Sequence, residues 1–248
     1  MPGPVWLVLP TFDEAENIER IVAAIRDALA AAAPQGYHVL IVDDSSPDGT
    51  GEMADRLAAR YDEVSVLHRA HREGLGPAYL AGFRHALAEG AGLLIEMDAD
   101  FSHDPHDLPK LLAAIEGGAD LALGSRYTRG GAVADWGLVR RFVSRGGCAY
   151  ARFVLGVAIR DLTGGFKCFR REVLEAIELD SVRAHGYAFQ VELTYRALRR
   201  GFSVEEVPIL FRDRLLGRSK MSPWIAAEAL WVLPQLRFTR GAFAGENS

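Results

Sequence analysis

The chain has 248 residues, 49% hydrophobic and 25% charged, with a net charge of −5; this suits one large α/β domain with a C-terminal appendage and argues against nucleic acid as the main partner. Its two cysteines, Cys148 and Cys168, have neither metal-ligand spacing nor a disulfide framework and read as buried, reduced thiols of a cytosolic protein. No charged leader precedes the first strand-like segment, and no run of about 18 apolar residues offers a membrane span.

Val5 to Leu9, ending at Pro10, reads as a first buried strand. Thr11 and Glu14 have capping-box spacing, and Ile18, Ile21, Val22 and Ile25 then repeat at helical intervals. His38 to Val42 is a second strand, ending in Asp43-Asp44. Asp48-Gly49 makes a turn and cap before a helix from Met53 to Tyr61. Val64 to Leu67 is a third strand, and Gly74 to Leu87 a helix. Leu93 to Met97 is a fourth strand, followed by Asp98-Ala99-Asp100 and a helix entered at Pro105. Ala119 to Gly124 is a fifth strand. Such alternation predicts a mostly parallel sheet with helices on both faces, and ligands at the carboxyl ends of its strands.

The polar residues gather at those ends. Thr11, Asp13 and Glu14 follow strand one, Asp43-Asp44 strand two, Asp98 and Asp100 strand four, and Ser125-Arg126 strand five. Asp98 and Asp100, one residue apart in extended chain, face the same way. Two such carboxylates repel unless a cation lies between them, and Mg²⁺ commonly takes one or two carboxylates plus substrate phosphates. Each residue alone has a plainer reading as a cap or a turn acid. His103 and His106, near the carboxylates, suggest either a histidine-containing metal site or, the favoured reading, a solvated loop. G-x-G-x-x-G, G-x-x-x-x-G-K-[ST] and G-x-S-x-G are all missing where they would be needed, which disfavours a dinucleotide-binding domain, a P-loop NTPase and a hydrolase elbow.

Beyond Arg126 the alternation weakens. Gly130-Gly131 reads as a flexible loop, Leu138 to Leu155 as a helix interrupted by Gly146-Gly147, and Asp161 to Phe166 as a loop feeding a short strand, Lys167 to Phe169. Helices follow at Arg171 to Ile177 and Phe189 to Arg200, then strand at Val204 to Val207 and Ile209 to Phe211. Arginines cluster at Arg140, Arg141, Arg145 and Arg152, and cations again at Arg212, Arg214, Arg218 and Lys220; local basic patches in an acidic chain point to bound phosphates. The stretch Arg214 to Lys220 fits either a mobile lid over phosphate or a solvated turn. The tail from Trp224 to Phe243 fits a packing helix, broken or kinked at Pro234, ahead of an interfacial membrane contact.

With these residues in place the sequence resembles the inverting glycosyltransferases of GT-A fold, family 2, and within them the polyprenyl (dolichyl) phosphate mannose synthases. The resemblance rests on Leu9 to Glu14, Asp43-Asp44-Ser45-Ser46-Pro47-Asp48-Gly49-Thr50, Met97 to His103 and Gly124 to Tyr127. It continues through Ser144 to Gly146, Asp161 to Phe166, Tyr187 to Gln190 and Arg214 to Lys220, spanning about residues 5–222. The D-x-D alone is weak; the D-D-x-S-P-D-G-T stretch with the later segments is specific.

The resemblance implies a GT-A domain over residues 1–221, a helical tail over 222–248, GDP-mannose as donor, a polyprenyl (dolichyl) monophosphate as acceptor, and Mg²⁺ or Mn²⁺ as cofactor. Pro10, Phe12, Glu14, Ile41 and Asp43 would line the guanosine side. Asp98, Ala99 and Asp100 would meet diphosphate and metal, with Ser102 as a further ligand or water holder. Arg126, Arg214 and Lys220 would close over the phosphates, and Arg126, Arg140 and Ser144 would hold the acceptor phosphate. Asp98, Asp100 and Arg126 are the expected catalytic set. Phe12 stands where Tyr is common, and Ser102 where some relatives have Gln. Many relatives carry C-terminal transmembrane helices; this chain is expected at the cytoplasmic face of a membrane as a peripheral protein, held directly or through an integral-membrane partner. An acceptor phosphate already ionised near neutral pH needs no general base, and none is assigned. Rival readings are the same transfer from UDP-glucose or UDP-N-acetylglucosamine, a non-catalytic nucleotide-binding α/β module, and a nucleotidylyltransferase, the last disfavoured by the missing Gly-rich N-terminal loop.

Overall fold

Val5, Leu7 and Leu9 face one side of their strand, and Trp6 and Val8 the other, and all five are buried. A strand covered by helices on both faces must be apolar without alternation, which is why this run contains no polar residue. The computed structural model describes residues 3–182, 186–213 and 233–238, with Tyr187 described by its backbone only. The strands are β1 (Val5–Thr11), β2 (Tyr37–Asp43), β3 (Val64–His68), β4 (Leu93–Glu96), β5 (Leu121–Ser125), β6 (Ala132–Val133), β7 (Lys167–Arg170), β8 (Val204–Pro208) and β9 (Leu210–Phe211). Seven of them form one sheet in the order β3-β2-β1-β4-β7-β5-β8, and β6 pairs with β9 in a two-stranded ribbon.

β1 is central, parallel to β2 on one side and to β4 on the other. The chain therefore leaves β1 in one direction and returns on its opposite flank, a switch point where ligands bind in open α/β sheets. α1 (Ile18–Ala32), α2 (Thr50–Arg60) and α4 (Leu108–Glu116) cover the face of Val5, Leu7 and Leu9. α3 (Leu75–Ala88), α6 (Arg171–Ala176) and α7 (Gly186–Arg199) cover the face of Trp6 and Val8. A third cluster joins α5 (Leu138–Leu155) to α7 through Ala151, Leu155, Leu162, Val191 and Tyr195.

The mostly parallel sheet expected from the alternation is present, with one insertion. β7 runs antiparallel between β4 and β5, placing Lys167 beside Glu96. Three local expectations are corrected. Thr11 and Glu14 form no capping box, because Thr11 is the last residue of β1, its Oγ1 donating to Asp43 Oδ1 at 3.2 Å, and α1 begins only at Ile18. Gly146-Gly147 does not interrupt α5, which is continuous. The packed face of Cys148, Ala151 and Leu155 outweighs the roughly 1 kcal/mol cost of each glycine. Gly131 marks a close approach rather than a flexible loop, since a Cβ there would lie 2.4 Å from Ser125 O. Residues 233–238 are helical with Pro234 inside. Leu233 is buried with Leu155 and Ile159, and Arg237 Nη1 donates to Leu155 O at 2.5 Å. The remainder of the tail, and the stretch 214–220 with Arg214 and Lys220, lie outside the described residues.

Candidate active site

The loops leaving β1, β2 and β4 each hold one non-glycine residue in left-handed backbone: Asp13 (φ 54°), Ser45 (φ 57°) and Phe101 (φ 59°). Such conformations persist where surrounding bonds over-determine them. Here the β2 loop supplies those bonds. Asp13 N donates to Ser46 Oγ at 3.2 Å, Glu14 N to Thr50 Oγ1 at 3.0 Å, and Ala15 N to Asp48 Oδ2 at 3.0 Å. Burial works to raise the Asp48 carboxyl, but donation from Thr50 and Ala15 prevails and holds it below the usual carboxylate range. The D-D-x-S-P-D-G-T stretch is thus a clamp that shapes the loop after β1.

Between these loops, at the carboxyl ends of β1 and β4, lies a cleft of about 390 Å³. Pro10, Phe12, Glu14, Asp98, Ala99, Asp100, Ser102, Arg126 and Arg140 all line it, as the sequence led one to expect. Asp100 is buried, and its Oδ1 accepts from Ser102 N at 3.0 Å. Asp98 Oδ1 accepts from Tyr79 Oη at 3.1 Å. Burial, reinforced by the nearby Asp98, pushes the Tyr79 hydroxyl well above its ordinary value, so it stays a donor. Beneath the pair, Lys167 Nζ donates to Glu96 Oε1 at 2.9 Å, to Gln190 O at 3.2 Å, and to Gln190 Oε1.

Arg126 is buried and gripped from behind. Its Nε and Nη2 donate to the two Asp161 oxygens at 2.7 and 2.6 Å, and Nη2 also to Thr163 Oγ1 at 2.8 Å. Burial pulls the guanidinium down and Asp161 pushes it up; the second effect wins, so it stays charged. Arg140 stacks 4.1 Å over the Trp136 ring and donates to both Asp213 oxygens at 2.9 Å.

Other expected residues stand outside the cleft lining. Ile41 is fully buried in the core beside Leu9 and is not among the lining residues. Asp43 is buried behind the cleft, accepting from Thr11 Oγ1, Ser46 N and Ser46 Oγ; Asp44, its neighbour, lines the cleft instead. Ser144 Oγ accepts from Tyr127 Oη at 2.7 Å, one turn of α5 beyond Arg140, and also stands outside the lining. His103 is corrected from a solvated residue to a buried one. It stacks on Phe166 at 5.2 Å and meets Phe211 edge-on at 5.2 Å, and burial lowers its imidazole to about 4, leaving it neutral. Both thiols are free and buried, and burial pushes Cys148 up to about 11.

Several lining residues escaped the sequence reading. Arg72, 4.0 Å over the Phe12 ring, follows β3, and its place just past a strand's carboxyl end is the signal that marks it. Trp136 arrives from a distant segment and no local pattern marks it; Gln190, from one of the segments that carry the family resemblance, lines the cleft although no role was assigned to it. Among the described residues no group of three His, Cys, Asp or Glu side chains converges. Asp98 and Asp100, which line the cleft just past β4, are the pair of carboxylates available there. That set fits a hard cation whose remaining positions go to diphosphate oxygens and water.

A doubly wound sheet with carboxylates at its switch point and arginines in the same cleft defines a GT-A glycosyltransferase. The chain belongs to glycosyl transferase family 2, whose profile matches residues 6–178. It is 51% identical over 230 residues to polyprenol monophosphomannose synthase of Mycolicibacterium smegmatis, covering 92% of this chain and 85% of that one. It is 45% identical over 226 residues to undecaprenyl-phosphate mannosyltransferase of Micrococcus luteus, covering 91% and 90%. Among solved structures, glucosyl-3-phosphoglycerate synthase of Mycobacterium tuberculosis superposes with TM-score 0.68 at 19% identity, over 94% of this chain and 80% of that one. A Pyrobaculum calidifontis mannosyltransferase, solved with GDP-Man and Mn²⁺, superposes with TM-score 0.56 at 16% identity, over 96% and 72%. These two likenesses concern the fold.

Proposed function

We propose that the chain transfers mannose from GDP-mannose to a polyprenyl monophosphate with inversion, giving polyprenyl phosphate β-mannose and GDP. The observation that carries the reading is the cleft, where Asp98 and Asp100 share one volume with Arg126 and Arg140. The sugar and the lipid are supported by the names of the relatives at 51% and 45% identity.

Pro10, Phe12 and Glu14 hold the guanosine, with Arg72 fixing the Phe12 ring from outside. Ile41 and Asp43 act on it only through the strand and the clamp they support. Asp98 and Asp100, with Ser102 beside them, would hold Mg²⁺ or Mn²⁺, which when bound supplies Lewis-acid stabilisation of the leaving diphosphate. Arg214 and Lys220, outside the described residues, keep the role the family resemblance implies, added positive charge toward the same phosphates. Arg126, kept rigid by Asp161, and Arg140 align the acceptor phosphate for in-line attack on the anomeric carbon. Ser144 acts behind Arg140. The acceptor oxygen is already ionised near neutral pH, so no side chain takes a proton. Asp98, steadied by Tyr79, orients the donor.

The acceptor is a lipid, so the reaction takes place at a membrane, at its cytoplasmic face if the donor is cytosolic. Among the described residues no helix is long and apolar enough to cross one. Peripheral attachment, direct or through an integral-membrane partner, is part of the same proposal.

Replacing Arg140 with alanine is expected to raise the acceptor KM by about ten- to a hundredfold while leaving the donor KM unchanged, since a charged hydrogen bond to phosphate contributes roughly 1.5–3 kcal/mol. Initial-rate kinetics with each substrate varied separately checks this. The whole reading is tested by incubating purified protein with a detergent-solubilised short-chain polyprenyl phosphate, Mg²⁺ or Mn²⁺, and a panel of GDP-mannose, UDP-glucose and UDP-N-acetylglucosamine. Lipid-phosphate sugar from GDP-mannose alone is expected. Product from a UDP-sugar would reassign the donor, and nucleotide binding without product would favour the non-catalytic module.

A further inference from the structure

The order of strands spaces out the parts of the reaction. β1, β4, β7 and β5 are successive neighbours in the sheet. Where they meet the cleft stand, in the same order, Phe12, the pair Asp98 and Asp100, Gly165, and Arg126. On the reading above the nucleoside lies over β1, the diphosphate over β4 and the acceptor phosphate over β5. In-line transfer holds the sugar between its leaving group and the attacking oxygen, and so over β7. β7 is antiparallel, with Lys167 opposite both Glu96 and Leu123, so its beginning faces the cleft.

An amide stands at that place. Gln190, on α7, is 3% exposed and lines the cleft. Lys167 Nζ donates to its backbone oxygen at 3.2 Å and to its Oε1. An ammonium only donates, so the amide atom facing Lys167 is the oxygen, and Nε2 turns away from it. Nε2 is buried without a hydrogen-bond partner. The amide stands near the Glu96 carboxyl and helps to hold it down, but neither Nε2 nor Glu96 Oε2 reaches hydrogen-bonding geometry. Gly165 lies against Nε2, and a Cβ there would come within 3.1 Å of it. Gly165 is not among the residues of left-handed backbone, so its conformation does not demand glycine. An uncovered Nε2 does account for it. A buried N–H left unpaired is costly, and a ligand oxygen would satisfy this one.

The surroundings say which oxygen. Lys167 and Glu96 pair with each other, so the donor offered to the cleft is a neutral amide. It lies near the Asp98 carboxylate, because Tyr79, which donates to Asp98, stacks on Phe189, the neighbour of Gln190. A carboxylate beside a neutral N–H donor suits adjacent hydroxyls, one donating and the next accepting, better than a second phosphate.

We propose that Gln190 Nε2 donates to a ring hydroxyl of the transferred sugar and so helps to set which sugar the donor carries. The assignment rests on the nucleotide-sugar reading above and deepens it. Gly165 keeps the approach open, and Lys167 fixes the direction of the amide.

Calorimetric titrations in the presence of Mn²⁺ test this with GDP, GDP-mannose and the 2-, 3-, 4- and 6-deoxy analogues of GDP-mannose. Gln190→Met is expected to weaken GDP-mannose binding by about three- to tenfold, the range for one neutral hydrogen bond, and to leave GDP binding unchanged. One deoxy analogue is expected to bind wild type correspondingly weakly and to lose nothing further from the substitution. A merely structural role would not single out one hydroxyl. Unchanged GDP binding also shows that the variant is folded. If Gln190→Met does not fold, Gly165→Ala, which spares the Lys167 bonds and presses on Nε2, takes its place in the same titrations. GDP-mannose binding at the wild-type value, an equal loss for GDP, or an equal loss for every analogue would overturn the assignment. If wild type binds UDP-glucose and not GDP-mannose, the mannose reading falls. The comparison of UDP-glucose with UDP then decides the role of Gln190 by the same criterion.

Discussion

Asp100→Asn is expected to lower turnover by roughly 10³-fold, because Lewis-acid stabilisation of a leaving group amounts to several kcal/mol. Asparagine is chosen over alanine for a structural reason. Asp100 Oδ1 accepts from Ser102 N in the turn after β4, and an amide oxygen keeps that bond while the charge is lost. Asp100→Ala should fall at least as far, with an added loss of order in the turn. Steady-state transfer assays, paired with calorimetric titration of Mn²⁺ in the presence of GDP, separate the two effects. Normal turnover in Asp100→Asn would remove Asp100 from the metal site. A fall in turnover with unchanged Mn²⁺ binding would move its role to the sugar.

Lys167→Met is expected to cost roughly 3–5 kcal/mol of stability, the range for leaving one partner of a buried pair uncompensated. Lys167 and Glu96 are both fully buried, and their bond sits two residues before Asp98. In the wild type, burial pushes the Glu96 carboxyl above its ordinary 4.5, with Lys167 opposing. Burial likewise lowers the Lys167 ammonium, with Glu96 opposing. Without the ammonium, Glu96 must rise further. A carboxyl whose folded pKa is raised binds more protons folded than unfolded, so stability is lost as pH rises above the unfolded value. The defect of Lys167→Met should therefore shrink in mildly acidic buffer and deepen in mildly alkaline buffer. Glu96→Gln/Lys167→Met, which leaves no stranded charge, should recover most of the loss. Urea unfolding of the three proteins at two pH values checks this. A defect independent of pH would mean the Lys167 side chain matters only for its volume.

The residues in these predictions were unequally legible. Asp98 and Asp100 stood out because two carboxylates one residue apart, just past a buried strand, repel unless a cation lies between them. The partnership of Lys167 with Glu96 did not, since it depends on β7 being laid antiparallel beside β4. Local signals also misled where long-range bonds outweighed them. Thr11 and Glu14 have capping-box spacing, but Thr11 is claimed by Asp43 and the Glu14 backbone by Thr50. His103, in a polar stretch, is buried only because Phe166 and Phe211 close on it from elsewhere in the chain. Gly146-Gly147 reads as a break, but the continuous packed face of α5 carries the helix through.

By itself the sequence determined the strands of the main sheet, their parallel majority, and the gathering of acidic and basic residues at their carboxyl edge. These follow from periodicity and from the cost of burying charge, which act within a few residues of each other. Only the tertiary structure decided that Arg126 is anchored by Asp161, 35 residues away. It alone decided that Arg72 and Trp136 belong to the cleft while Ile41 does not. Those are matters of which distant surfaces meet, and hydrophobic burial, having no direction of its own, leaves them to the order in which the strands are laid together.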